Sequence, residues 1–89
     1  MKKIEEVRNE IDEIDKKMAE LYVQRMDAVK KVIAYKKEYN LPVFDKKREQ
    51  DMKKNRKSWV PEEYQKSYFR FLQWIMDESK QFQNKERMK

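Results

Sequence analysis

The sequence predicts an all-α fold: a three-helix chain whose N-terminal helix is too long for the chain itself to cover. Three observations carry this. The 89 residues include no glycine and only two prolines, so tight turns are scarce, while Lys, Glu, Met and Ala favour helix. Core-type residues recur at alternating steps of three and four through Ile4, Val7, Ile11, Ile14, Met18 and Leu21, then Ala28, Val32 and Tyr35. A period of about 3.5 sustained over several heptads describes one buried seam on a long helix. That helix is about 55 Å long at a rise of about 1.5 Å per residue. A compact monomer of this length has a radius of gyration of only about 12 Å. The seam therefore needs a second chain, and an intertwined homodimer is expected.

Helix one is expected from about Lys2 to Tyr39. Asn40 can take the left-handed conformation that ends a helix, and Pro42 forbids its return. Asp45 is a good N-cap for a second helix, roughly Lys46 to Lys57. Ser58-Trp59-Val60-Pro61 reads as a connector, with proline near the start of helix three. Helix three is expected from about Glu62 to Glu86, frayed from Asn84 onward. Its apolar face comprises Tyr64, Tyr68, Phe71, Leu72, Ile75 and Phe82, with Ser79 in the same stripe and Gln83 one turn beyond. Trp59 and Trp74 are most simply core or dimer-seam residues. No internal repeat, low-complexity tract or second domain is visible, so residues 1–89 are read as one helical domain.

Composition excludes several kinds of chemistry. With no cysteine there is no disulfide and no thiolate. With no histidine, the commonest general base and the commonest metal ligand are both missing. No cofactor and no metal are expected. There is no apolar run long enough to span a membrane and no signal-peptide core, which points to a cytoplasmic protein. The net charge of +6 favours anionic partners. At 45% charged residues, much of that charge must be ordinary solvated helix surface.

Arg25 breaks the seam of helix one. It occupies the step between Leu21 and Ala28 where the rhythm requires an apolar residue. A guanidinium there must be paired or solvated, or it costs several kcal/mol. No acidic residue shares the seam. The partner is either a carboxylate from elsewhere in the fold or an anionic ligand, and the pattern alone allows both.

Other polar residues fall at core-facing or helix-end positions. Lys36 lies three turns beyond Arg25 on nearly the same face, about 16 Å along the axis. Ser79 and Gln83 are one turn apart on helix three and share a face. Arg48 and Glu49 follow the Asp45 cap in the first turn of helix two. Arg8 is about 25 Å from Arg25 on a rigid helix, so the two cannot hold one small ligand from one chain. In a crossed or antiparallel dimer, Arg8 of one chain can approach Arg25 of the other. Each residue also has an ordinary structural reading. Arg8 and Lys36 suit a solvated surface, Ser79 and Gln83 can satisfy each other or the backbone, and Asp45 and Glu49 suit a helix N-terminus. The case rests on their combination.

That combination resembles the all-helical chorismate mutase family. The resemblance is carried by Arg8, Ile11-Asp12-Glu13-Ile14-Asp15, Arg25, Lys36, Leu41-Pro42-Val43-Phe44-Asp45, Arg48-Glu49, Asp77-Glu78-Ser79 and Gln83. It covers nearly the whole chain and is weakest between Met52 and Gln73. It implies a domain-swapped dimer with two active sites that rearranges chorismate to prephenate, on the route to phenylalanine and tyrosine. By the same resemblance, Arg25 and the partner chain's arginine at position 8 hold the substrate carboxylates, assisted by Arg48. Lys36 and Gln83 donate to the ether oxygen. Glu49, with the Asp45 backbone region, binds the ring hydroxyl, and Ser79 touches the ring carboxylate. Val32, Met52 and Met76 are the implied apolar walls. Such a pericyclic reaction needs no nucleophile, metal or obligatory proton transfer, which suits a chain without His or Cys.

Two rival functions fit parts of this pattern. An isochorismate-pyruvate lyase on the same fold would use similar cations, and Glu49 favours the mutase over it. A non-catalytic helical module, as dimeriser or nucleic-acid binder, would use the charge. The basic residues are interspersed with acids rather than gathered into a stripe, and such a module leaves Arg25 unexplained. Neither nucleic acid nor membrane is the expected partner. The role of Lys80 and of the basic stretch Lys53 to Lys57 is left open at this level.

Overall fold

The computed structural model describes residues 2–87. Its helices are α1 (Lys2–Glu38), α2 (Lys46–Asn55) and α3 (Glu62–Arg87), with a short 3-10 turn over Lys57–Trp59 and no strand among the described residues. The molecule measures 56 × 28 × 14 Å, with a radius of gyration of 16.6 Å. That exceeds the roughly 12 Å of a compact chain of this length.

Helix α1 spans 37 residues and ends in a Schellman motif. Asn40 takes a φ of 52°, the Leu41 N–H reaches back to the Lys36 carbonyl at 2.8 Å, and the Asn40 N–H reaches Lys37 at 3.3 Å. The turn aims Pro42–Phe44 back across the end of α1. Helix α2 then starts from Asp45, whose Oδ1 accepts the Arg48 N–H at 2.9 Å.

Helix α2 stops at Asn55, short of the expected Lys57. The Arg56 N–H still bonds Met52 O at 3.1 Å, but the next bond, Trp59 N–H to Arg56 O at 3.0 Å, is already a 3-10 bond. The cause lies downstream. Val60 precedes a proline and is extended (φ −128°, ψ 150°), so the backbone must leave the helix before it. Gln65 on α3 stabilises the exit, its Nε2 donating to the carbonyls of Lys57 at 3.0 Å and Val60 at 3.4 Å. Arg56, freed from the helix, lies over the Trp59 ring at 4.9 Å.

Helix α3 begins after Pro61 with Glu62 and Glu63 at its positive end. The expected fraying from Asn84 does not occur among the described residues. Gln83 is buried, and the Arg87 guanidinium donates to the Leu41 carbonyl, which fastens the end of α3 to the loop after α1.

Packing uses only part of this surface. Met52 of α2 meets Leu72 and Met76 of α3, flanked by Tyr68 and Phe69. The C-terminal half of α1 packs on α3 through Val29 and Ile33. The seam counted from Ile4 would have placed Ala28 and Val32 there. A strict 3.5-residue count drifts by about 20° per heptad from a straight α-helix. Over the fourth and fifth heptads the buried residues are accordingly Val29 and Ile33, one position round from Ala28 and Val32. On α3 the buried residues are Leu72, Met76, Ser79 and Gln83. Tyr64, Phe71 and Trp74 are exposed instead, and so is Trp59, so neither tryptophan is in the core of this chain.

Residues 3–24 of α1 are exposed throughout, including Ile4, Val7, Ile11, Ile14, Met18 and Leu21. Leu72, only 2% exposed, is the most buried apolar residue. Leu72→Ala is expected to cost about 3 kcal/mol, whereas Leu72→Met should cost under about 1.5 kcal/mol. Urea unfolding at one fixed protein concentration measures both.

Candidate active site

A cavity of about 350 Å³ lies between α1, α2 and α3. That volume suits a small molecule. Arg25, Val32 and Lys36 line it from α1, Asp45 from the α2 cap, Arg48, Glu49 and Met52 from α2, and Met76, Ser79 and Gln83 from α3. These are the residues singled out in the sequence, save Arg8. Arg8 lies on the exposed half of α1 and is not part of the cavity formed by its own chain.

Among the described residues Arg25 has no carboxylate at ion-pair distance. Its Nη1 donates to Ser79 Oγ at 2.5 Å, and Ser79 Oγ in turn donates to the Ile75 carbonyl at 2.8 Å. The serine hydroxyl is thus used in both directions. It accepts from Arg25 and is itself held by the helix backbone, which fixes where the guanidinium points. Burial lowers the Arg25 pKa, and the nearby guanidiniums of Arg56 and Arg48 lower it further. An arginine remains charged under such pressure. Arg25, Arg48 and Arg56 face one space, and none of them has a carboxylate at ion-pair distance among the described residues.

Lys36 is held by two acceptors. Its Nζ donates to the Val43 carbonyl at 2.7 Å and to Gln83 Oε1 at 3.1 Å. The Schellman turn is what brings Val43 within reach. An ammonium has three hydrogens, so one is left for the cavity. Burial lowers the Lys36 pKa, an effect opposed by Asp45 and reinforced by Arg87. Gln83 is 7% exposed, and its carbonyl oxygen is committed to Lys36. Its amide nitrogen is therefore the end left to donate. Lys36 and Gln83 place two donors side by side, one charged and one neutral.

Glu49 is engaged from α3. Lys80 Nζ stands 3.0 Å from Glu49 Oε2 and 3.4 Å from Asp77 Oδ1. Asp77 also accepts from Gln73 Nε2 at 2.9 Å, and that bond, with Lys80, lowers its pKa. The Asp45 carboxylate is occupied by the cap of α2, and its carbonyl accepts the Glu49 N–H at 3.1 Å.

Two charged residues joined the site without a signal strong enough to place them. Arg56 sits in the basic stretch Lys53 to Lys57, where one cation looks like the next. It reaches the cavity because the helix ends one residue before it. Lys80 lines the cavity as well. Its proximity to Ser79 was visible, but a residue adjacent on a helix is rotated by about 100° and need not share a face. Altogether the lining holds five cations (Arg25, Lys36, Arg48, Arg56 and Lys80) against two carboxylates (Asp45 and Glu49), over apolar walls that include Val29, Val32, Met52 and Met76. Such a cavity suits a compact dianion with an apolar ring. No group of His, Cys, Asp or Glu among the described residues is arranged to hold a metal ion. No described helix is long and apolar enough to cross a membrane.

No curated protein and no solved structure matches the chain. The family model described as chorismate mutase type II matches residues 7–84, a span that includes α2, nearly all of α1 and α3, and every residue of the cavity. On that match, the chain belongs to the type II chorismate mutase family.

Proposed function

We propose that the chain is a chorismate mutase, an isomerase that converts chorismate to prephenate in the synthesis of aromatic amino acids. The carrying observation is Arg25, a half-buried guanidinium lining a small cavity, with no ion-pair partner among the described residues. A substrate with two carboxylates supplies what the site lacks. Arg25 and Arg48 take the carboxylates, with Arg56 adding to the field. Ser79 serves chiefly by holding Arg25.

In this reading the ether C–O bond breaks as a C–C bond forms, and the ether oxygen gains negative charge in the transition state. The free hydrogen of Lys36 and the amide of Gln83 donate to that oxygen. Donors fixed beforehand cost no reorganisation when the charge develops. Glu49 accepts the ring hydroxyl. Val32, Met52 and Met76 press the substrate into its compact conformer, which supplies the entropic part of the acceleration. No proton changes hands, so the absence of histidine is no obstacle.

The working form is a homodimer in which Arg8 of each chain completes the site of the other. The exposed apolar residues of α1, continuous from Ile4 to Leu21, support this. So does their position on the same half-helix as Arg8. The enzyme would work in the cytoplasm, on a diffusible substrate.

Loss of chorismate absorbance, followed by acid conversion of the product to phenylpyruvate, tests the activity. Pyruvate release from isochorismate instead would reassign the chain to the lyase. Arg25→Ala is expected to lower kcat/KM by at least about 100-fold, the cost of losing a charged contact in a desolvated site. Mixing Arg8→Ala chains with Arg25→Ala chains should restore part of the activity, because one site in each heterodimer keeps both arginines. Absence of recovery after proven subunit exchange would rule out the shared site. Ile14→Asp should give monomers by sedimentation and abolish turnover.

Lys36 must be protonated to donate. Its lowered pKa means that the charge is lost, as pH rises, earlier than for an ordinary lysine. A plot of kcat/KM against pH should therefore fall on the alkaline side below the usual lysine range, since that ratio reports the free enzyme. Lys36→Arg should remove this limb.

A further inference from the structure

Lys80 is the cavity residue with no role in the chemistry above, and its surroundings are unusually specific. It reaches across from α3 to Glu49 on α2, at 3.0 Å. Asp77, one turn earlier on α3, holds it from a second side at 3.4 Å. The Phe44 ring, from the loop before α2, lies 5.0 Å from the ammonium. Asp77 is itself fixed by Gln73. Side chains of α2, of α3 itself and of the loop before α2 thus converge on one lysine.

An exposed ion pair of this kind would contribute little. This pair differs at its acidic end. The Glu49 side chain is only 16% exposed and lies on the cavity wall. A carboxylate that must accept a single hydroxyl has two equivalent oxygens and a rotatable terminal torsion, so it offers several orientations of which few are useful. A cation on one oxygen removes that freedom. We propose that Lys80 is a positioning residue: by holding Oε2 of Glu49 it turns Oε1 to the cavity as the acceptor for the substrate's ring hydroxyl. This rests on the chorismate mutase reading of the site. The Glu49 contact raises the Lys80 pKa, in keeping with an ammonium that stays charged throughout the working range.

Positioning is distinguishable from simple addition of a charge. A cation that attracts a dianion directly contributes the same amount whether or not Glu49 is present, because Coulomb terms add. A cation that works through Glu49 contributes only while Glu49 is there. The experiment is therefore a cycle of Lys80→Met, Glu49→Ala and the double variant, with Lys80→Arg as the conservative control. Each is assayed for kcat/KM with chorismate and for chorismate affinity by calorimetry, after circular dichroism has shown unchanged helicity.

Lys80→Met is expected to lose about tenfold in the presence of Glu49 and less than about twofold in the Glu49→Ala background, the non-additivity of residues acting as one unit. Lys80→Arg should recover most of the loss. Equal losses in the two backgrounds would show Lys80 acting on the ligand directly and would overturn the proposal, as would no loss at all. If the unmodified chain binds chorismate but forms no prephenate, the mutase reading falls alone. The same cycle in dissociation constants then supports or overturns the positioning role. No heat of chorismate binding overturns both.

Discussion

The constraint on which the rest depends is a guanidinium placed where a helix seam should be apolar. Arg25 lies on the stripe through which α1 packs on α3, between exposed helix on one side and Val29 on the other. Its hydrogen-bond partner there is a hydroxyl, not a carboxylate. Ser79 and Gln83, 6% and 7% exposed, are the buried polar residues of α3, and each is bonded to a cation of α1. The α1–α3 contact is thus polar at two rungs and apolar between them. A hydrophobic pair at either rung would pack the chain more tightly and leave no binding field. The charge is tolerable there because the cavity it lines is open to water.

This arrangement makes positions, not residue types, the carriers of function. Lys36 is one of many lysines. It becomes a directed donor because the Schellman turn at Asn40 swings the Val43 carbonyl onto it and because Gln83 meets it from α3. Glu49 is one of many glutamates, and it stands on the cavity wall because Asp45 starts α2 where it does. The loop from Asn40 to Asp45 is therefore part of the site even where its side chains point elsewhere.

Much of this was legible in the chain, for identifiable reasons. Proline, asparagine at a helix end and aspartate at a cap act locally, so the breaks near Asn40, Asp45 and Pro61 could be read directly. Arg25 was legible because it violates a period, and Lys36, Ser79 and Gln83 because they share a face with it or with each other. What escaped depends on events at a distance. The end of α2 was set too late because the influence of Pro61 travels back through Val60 and a Gln65 side chain on another helix. Val29 and Ile33, the residues of α1 buried within this chain, escaped because they lie one position round from the seam counted at Ile4, and the drift of a 3.5-residue count accumulates along a long helix. Arg56 and Lys80 have no periodic anomaly to betray them. Only the meeting of α2 and α3 turns them into cavity residues.

The small core and the half-empty α1 belong to the same argument. Among the described residues the buried apolar ones are Val29, Ile33, Met52, Leu72 and Met76, and three of them, Val29, Met52 and Met76, line the cavity. A chain that concentrates its packing around a charged pocket has little left to offset the conformational entropy of a 37-residue helix. The N-terminal half of α1 carries the missing apolar surface, and it carries Arg8. In the dimer proposed here, covering that surface and delivering the last arginine are one event. A single chain would then lack both a stable scaffold and a complete set of cations. Dissociation would remove activity not by disturbing the cavity but by withdrawing a residue that never belonged to it in the isolated chain. Selection on the stability of such a dimer and selection on its turnover would act on the same helix, which is one physical reason for a chain to leave the apolar seam from Ile4 to Leu21 uncovered.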